Sequence, residues 1–250
     1  YAYEIKNIVV EHKLTLIGPR ANNDLGFFLG PYFTYLMLPF YLLTNLHPNG
    51  SIYFLVAYNL VFYWLSFVVI KKLFNVKTAL LFLILWTVNN LLTAYDIIPW
   101  WPVLIPLGVI LTWKFLLEKK WLLLGLCLGF FTNIHFQFVF LIFFSCLFLV
   151  LTPSKKNLLF WKKIGLTVLG FLITLLPLIF FDLRHNFLNI KLLFNFFLPG
   201  KGQLAADRLA WTPVFTNFLQ PLIYFKNESL MLIFFLILAV IIFYLYKKSK

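Results

Sequence analysis

Few side chains in this sequence of 250 residues could bind or transfer a charged group, and most of them stand beside apolar runs. Asp96 follows the run 78–95, His135 separates two further runs, and Asp182 and Arg184 follow a fourth. A carboxylate can serve as a general base, whereas an imidazole or a guanidinium can hold a phosphate. These residue types predict chemistry on a charged substrate at the ends of apolar segments.

The composition indicates which elements must carry these side chains. With 62% hydrophobic residues, 12% charged residues and 32 Phe, the chain has more apolar surface than one soluble core can bury. Most of its apolar runs approach the length that crosses about 30 Å of hydrocarbon. We therefore predict an all-α fold, a polytopic membrane helix bundle of about seven crossings. The runs are 52–70, 78–95, 102–113, 121–134, 136–152, 164–181 and 229–246.

The charges predict topology rather than a nucleic-acid partner. Of the 21 basic residues, 13 lie in four lysine-rich segments that hold a single acid, Glu118. These segments alternate along the chain with segments that hold the other 8 basic and 7 acidic residues. By the positive-inside rule the lysine-rich segments are cytoplasmic and the others face outward. We expect membrane lipids, and no nucleic acid, as partners.

The same alternation divides the chain into four regions. Residues 1–46 form an outer loop with juxtamembrane helices, 47–181 a transmembrane bundle, 182–228 a second outer loop, and 229–250 a last crossing with a cytoplasmic tail. Within the first region, Gly30-Pro31 and Pro39 interrupt an apolar stretch. These breaks favour a kinked helix that is interfacial or re-entrant over one that spans the membrane.

A polar cluster ends the run 121–134. That run has 14 residues, so as a helix it covers about 21 Å and stops below the outer surface. Polar groups at such depth tend to line cavities, and we expect this of Asn133, His135 and Gln137. The alternative is a helix-hairpin turn capped by Asn133 and His135. The GxxxG spacing of Gly125 and Gly129 on the same run permits close helix packing.

Three segments together resemble the bacterial members of the dolichyl-phosphate-mannose protein mannosyltransferase-like family, which is glycosyltransferase family 39 with the GT-C fold. They are YAYEIKNIVVEHKLTLIGPRANNDLGFFLGPYFTYLMLPFYLL, LGLCLGFFTNIHFQF and LLPLIFFDLRHNF. The resemblance implies a membrane enzyme that moves a sugar from a polyprenyl-phosphate-linked donor to an acceptor on the outer face. It also implies that His135 lies near the lipid phosphate, and it is compatible with a divalent metal ion, for which the sequence has no ligand spacing.

The family's catalytic acid falls upstream of the segment that begins at Tyr1. We therefore expect this chain to be a fragment that lacks the principal base. If the base lies within this chain, the candidates are Asp96, Asp182 and Asp24. Two of these acids also have an interpretation without catalysis. Asp24 could be a solvated loop residue, and Asp182 could belong to a charge cluster that ends a helix. Arg184 with His135 is predicted to bind the donor phosphate, and Arg20 and His185 to line the cavity.

A transporter or lipid flippase subunit without transferase activity is the rival hypothesis, because broken helices and polar groups in the membrane are natural there too. That hypothesis predicts internal repeats and ionisable residues near the midplane of the bilayer. The sequence has no repeat, and its ionisable residues stand at the ends of runs. A nucleotide-binding glycine motif is also absent, so a sugar donor is expected to be lipid-linked.

Overall fold

The computed structural model describes residues 2–21, 26–151 and 157–197, and this part of the chain is helical, without a strand. The all-α prediction is therefore confirmed. Predicted segments beyond residue 197, including the run 229–246, lie outside the described residues. The α-helices are α1 (Ala2–Val10), α2 (Tyr32–Leu43), α3 (Gly50–Leu73), α4 (Val76–Val88), α5 (Asn90–Asp96), α6 (Ile105–Leu117), α7 (Trp121–Ile134), α8 (Val139–Leu151), α9 (Asn157–Arg184) and α10 (Leu188–Phe197).

Two of the described helices are long and apolar enough to cross a membrane, namely α3 and residues Phe160–Arg184 of α9. Five further apolar segments are shorter, between 10 and 17 residues. Large apolar side chains are exposed along these helices, among them Leu60, Trp64 and Phe143 at 68%, 63% and 67%. Such continuous apolar surface is typical of proteins that contact lipid or other proteins. The count of about seven crossings stays a prediction.

Helix α2 occupies the segment that the sequence predicts not to span. It has 12 residues, or about 18 Å, and Pro39 lies inside it. Its inner face packs on α3, where Gly50 leaves room for Tyr41, so that a Cβ on Gly50 would lie 2.9 Å from the Tyr41 backbone. Thr34 of α2 donates a hydrogen bond of 3.0 Å to Glu4 and so holds α1.

The closest helix pair is α7 with α9. A Cβ added to Gly125 would collide with the backbone of Thr167, and one added to Gly129 would collide with the Thr174 hydroxyl. From the other side, Gly170 of α9 lies against the backbone of Leu122. The close helix packing that the GxxxG spacing permits is therefore present, because the two backbones approach where side chains are absent.

The ends of the helices bring the loops together in two groups. Glu118 in the turn between α6 and α7 accepts from Lys72 at 2.6 Å and lies 3.0 Å from Lys120. At the other end, Gly30 N donates to the carbonyl of Asn133 at 2.9 Å. Two of the lysine-rich segments thus share one end of the bundle, and the loop before α2 meets the end of α7 at the other.

Candidate functional site

One cavity brings together three of the residues that the sequence predicts for a site. It has a volume of about 430 Å³, and Asp96, His135 and Gln137 line it. Much of the remaining wall is aromatic or aliphatic, including Trp86, Tyr95, Trp100, Phe138 and Leu141. A mostly apolar cavity with a few polar groups is the usual form of a site for a small or amphiphilic ligand.

The carboxylate of Asp96 is buried, with 8% of the residue exposed. Its Oδ2 accepts one hydrogen bond from the Tyr63 hydroxyl at 3.0 Å and another from the Trp86 indole at 2.9 Å. Within the described part of the chain, Oδ1 accepts no hydrogen bond. Two donors therefore hold Oδ2 of a residue that lines the cavity.

Asp96 lies beside the middle of α3, whereas the sequence predicts it at the end of a helical run. Its backbone carbonyl accepts from Asn59 at 2.9 Å, and Asn59 and Tyr63 are the tenth and fourteenth of the 24 residues of α3. The predicted run 78–95 is broken at Asn89, where the backbone is extended, and α5 is a helix of only seven residues. This break lets the chain fold back, so Asp96 is level with the middle of α3 rather than with one of its ends.

His135 enters the cavity because α7 ends at Ile134. The backbone of His135 is extended, at φ −149° and ψ 122°, and its Nδ1 accepts from the backbone N–H of Gln137 at 3.3 Å. Its ring stacks on Phe136 with an interplanar angle of 14°. Burial lowers the pKa of the imidazole. Burial therefore favours the neutral ring, and because Nδ1 accepts a hydrogen bond, the neutral ring carries its proton on Nε2, which can donate a hydrogen bond.

Asn133 serves the packing of α7 and α9 and is not among the residues that line this cavity. Its side chain is 2% exposed and donates to the carbonyls of Gly129 and Thr174 at 2.8 and 3.2 Å. The Tyr32 hydroxyl donates to the same Thr174 carbonyl at 2.6 Å. These bonds tie the start of α2 to the α7–α9 pair. Because the Asn133 side chain bonds to backbone carbonyls near the end of α7, its role is similar to the capping role that the sequence leaves open for this residue.

Asp182 organises the turn between α9 and α10 and does not line the cavity. Its Oδ1 accepts from the backbone N–H of Asn189 at 2.6 Å, near the first turn of α10. The Asn189 side chain in turn holds Phe28, accepting from its N–H at 2.6 Å and donating to its carbonyl at 3.2 Å. A carboxylate with these partners has an evident structural use, which favours the helix-end interpretation of Asp182.

The remaining predicted residues lie apart from the cavity. Arg184 is exposed at the end of α9, and the ring of His185 stacks on Phe181 and bonds to its carbonyl at 2.8 Å. The guanidinium of Arg20 lies 4.6 Å from the Phe28 ring centroid. Asp24 lies outside the described residues. The joint phosphate site of His135 and Arg184 stays a prediction.

Sequence reasoning missed Tyr63 and Trp86, the two donors that hold Asp96. Asn59 and Tyr63 offer one signal, because they lie four residues apart and hence on one face of an apolar helix. The Trp86 indole offers none, because an aromatic residue in a membrane helix is ordinary.

Comparison with known proteins gives no further guide to the chemistry of this cavity. No protein-family model, curated protein or solved structure matches this chain. Within residues 2–21, 26–151 and 157–197, no three His, Cys, Asp or Glu side chains come together as a metal site would require. The described residues of the cavity therefore offer hydrogen bonds and one carboxylate, and the function must be argued from those groups.

Proposed function

We propose that this chain belongs to a membrane glycosyltransferase that moves a sugar from a polyprenyl-phosphate-linked donor to an acceptor on the outer face of the membrane. The observation that carries the proposal is that one cavity holds both a buried carboxylate, Asp96, and an imidazole, His135, among aromatic walls. A lipid-linked sugar needs both a polar reaction centre and an apolar surround, and this cavity offers the two together.

The two polar groups divide the chemistry between them. Asp96 keeps Oδ1 for the acceptor hydroxyl, whose proton it takes as the acceptor oxygen bonds to the sugar carbon. The bond from that carbon to the phosphate oxygen breaks, and polyprenyl phosphate leaves. His135 donates its Nε2–H to the phosphate, where negative charge grows. Tyr63 and Trp86 hold Asp96 in place, since each donates to the other oxygen.

Membrane placement follows from the same proposal. The apolar helices lie across the bilayer in a multi-pass arrangement, with lipid against their exposed faces. The end of the bundle with Lys72 and Glu118 faces the cytoplasm, and the cavity opens toward the extracytoplasmic side. A divalent ion has no ligand cluster among the described residues, so none is assigned to the reaction.

One observation favours a second candidate, a transporter or flippase subunit that carries a lipid-linked substrate without cleaving it. Asp96 is bonded to the middle of α3, which for a spanning helix is the middle of the bilayer. Buried acids at this depth are typical of pathways that move ions or substrates. In this alternative the same cavity binds the donor, and Asp96 moves a proton or orients the headgroup.

The experiment measures binding, cleavage and translocation on one preparation. The full chain is reconstituted in liposomes that hold a panel of polyprenyl-phosphate hexoses and pentoses, labelled in lipid and sugar, together with protein, lipid and glycan acceptors. Release of labelled polyprenyl phosphate that disappears in Asp96→Asn supports the transferase. Donor movement between leaflets without release supports the transporter. Glu11→Gln removes an exposed acid outside the cavity and is the matched control. Binding that is equal in the parent, Asp96→Asn and His135→Ala would refute both functions for this cavity.

A further inference from the structure

A second cavity with polar lining lies apart from Asp96, at the end of the bundle where Lys72 meets Glu118. It has a volume of about 210 Å³, and three lysines and one acid line it, namely Lys72, Lys114, Lys120 and Glu118. The three ammonium groups against one carboxylate leave two positive charges in excess. No part of the function proposed above uses this cavity.

The lysines are arranged by their acid and by the helices. Glu118 lies 2.6 Å from the Lys72 ammonium and 3.0 Å from that of Lys120, so one carboxylate draws a lysine of α3 and a lysine of the α6–α7 turn to one place. Lys114 is half-buried, with its ammonium 5.8 Å from the Phe115 ring centroid. Lys120 also precedes α7, whose first N–H groups have no side-chain cap. The start of a helix adds positive potential.

An apolar cavity of about 310 Å³ shares two lining residues, Val69 and Leu73, with the lysine cavity. Ile110, Trp113 and Leu117 of α6 form its other wall. Both cavities therefore lie along α3 and α6, one charged and one apolar. A free anion needs only the first of them, whereas a phospholipid has a group for each.

We propose that these two cavities bind one anionic phospholipid from the surrounding membrane. Its phosphate contacts Lys72, Lys114 and Lys120, and an acyl chain lies against Ile110 and Trp113. Basic pockets between membrane helices on the cytoplasmic side are suited to such headgroups. The inference rests on the membrane placement and not on the transfer reaction, so a failed transferase assay leaves it intact.

The test counts bound lipid by native mass spectrometry on the full chain in a neutral detergent. Phosphatidylglycerol is titrated against phosphatidylcholine with the parent and two variants. The cavity variant is Lys72→Gln/Lys114→Gln/Lys120→Gln, and the matched control is Lys71→Gln/Lys77→Gln/Lys119→Gln, which removes equal charge beside the cavity. We expect the cavity variant to bind phosphatidylglycerol about tenfold more weakly or worse, and the control to bind nearly as the parent does.

Two further single variants distinguish a loss of binding from a folding defect and identify the ligand. Lys114→Gln leaves the bonds of Glu118 intact and should still weaken phosphatidylglycerol binding. Ile110→Trp fills the apolar cavity and should weaken it without a change of charge. Equal losses in the cavity and control triples would show diffuse attraction to lysines, and would overturn the proposal. Displacement of the lipid by millimolar inorganic phosphate, with no effect of Ile110→Trp, would overturn it in favour of an anion site.

Discussion

The indole N–H of Trp86 donates a hydrogen bond of 2.9 Å to Oδ2 of Asp96, ten residues further along the chain. The Tyr63 hydroxyl, from another helix, donates to the same oxygen at 3.0 Å. Asp96 therefore lines the cavity and, through its hydrogen bonds, also links α3, α4 and α5. Removing a donor should affect stability and ligand binding together.

Trp86→Phe tests that bond. The variant leaves Oδ2 with one donor fewer in a buried site, and a hydrogen bond to a charged group contributes about 1.5–3 kcal/mol. We expect the free energy of unfolding to fall by about that amount, measured by denaturant unfolding in detergent micelles. Trp64→Phe is the control, because Trp64 is 63% exposed on α3. If both variants lose the same free energy of unfolding, the loss comes from the smaller ring and not from the hydrogen bond to Asp96.

His135→Ala should weaken donor binding about tenfold or more, since a hydrogen bond to an ionised phosphate is lost. Binding of labelled polyprenyl-phosphate sugar to the reconstituted chain gives the measurement. His47→Ala serves as control, because His47 is exposed in the loop before α3. Unchanged binding in His135→Ala would remove this residue from the site.

The pKa of His135 also predicts a pH dependence of stability. Burial lowers this pKa in the folded state, so the unfolded chain takes up a proton first as the pH falls. The folded state is then penalised as the pH drops below the ordinary histidine pKa of about 6.5. Relative to His135→Gln, the parent should lose stability between pH 7.5 and pH 5. If the unfolding temperatures of the parent and of His135→Gln change by the same amount across that interval, the lowered pKa is contradicted.

Glu118 predicts a second loss of stability on acidification, in a lower pH range. Hydrogen bonds from Lys72 and then Lys120 lower the pKa of this carboxyl to about 2. Its stabilising effect should be complete above the unfolded value of 4.5 and should disappear as the pH falls toward 2. The difference in unfolding temperature between the parent and Glu118→Gln should therefore be constant near pH 6 and shrink below pH 4.5. A difference that persists at pH 2 would show that the ion pairs are not its source.

Gly129→Ala should separate α7 from α9, because its Cβ would collide with the Thr174 hydroxyl. Overpacking of this kind typically costs about 1–3 kcal/mol. Gly165→Ala in the same helix pair is the control, since a Cβ there meets nothing within 4 Å and alanine favours the helix. Unfolding curves that rank Gly129→Ala at or above Gly165→Ala would contradict the packing argument.

The sequence by itself determined the helical class and the approximate limits of several elements. The run 121–134 became α7 with the same bounds, and 52–70 lies within α3. Both the length of an apolar run and the punctuation by Gly, Pro and charged residues are local properties, so they can be recognised without knowledge of the fold. Two glycines one turn apart also indicated that a helix could pack closely on α7, although not that this helix would be α9.

The tertiary structure alone decided which polar residues meet. Asp96, Asp182 and His135 all stand at ends of runs, but only Asp96 and His135 share the cavity. Asp182 is instead bonded to the start of α10. The difference arises because α5 folds back onto the middle of α3, and this return depends on donors from two other helices, Tyr63 and Trp86. Tyr63 is 33 residues from Asp96, and Trp86 is separated from it by the break at Asn89. The hydrogen bonds of Asp96 therefore form only when the helices pack.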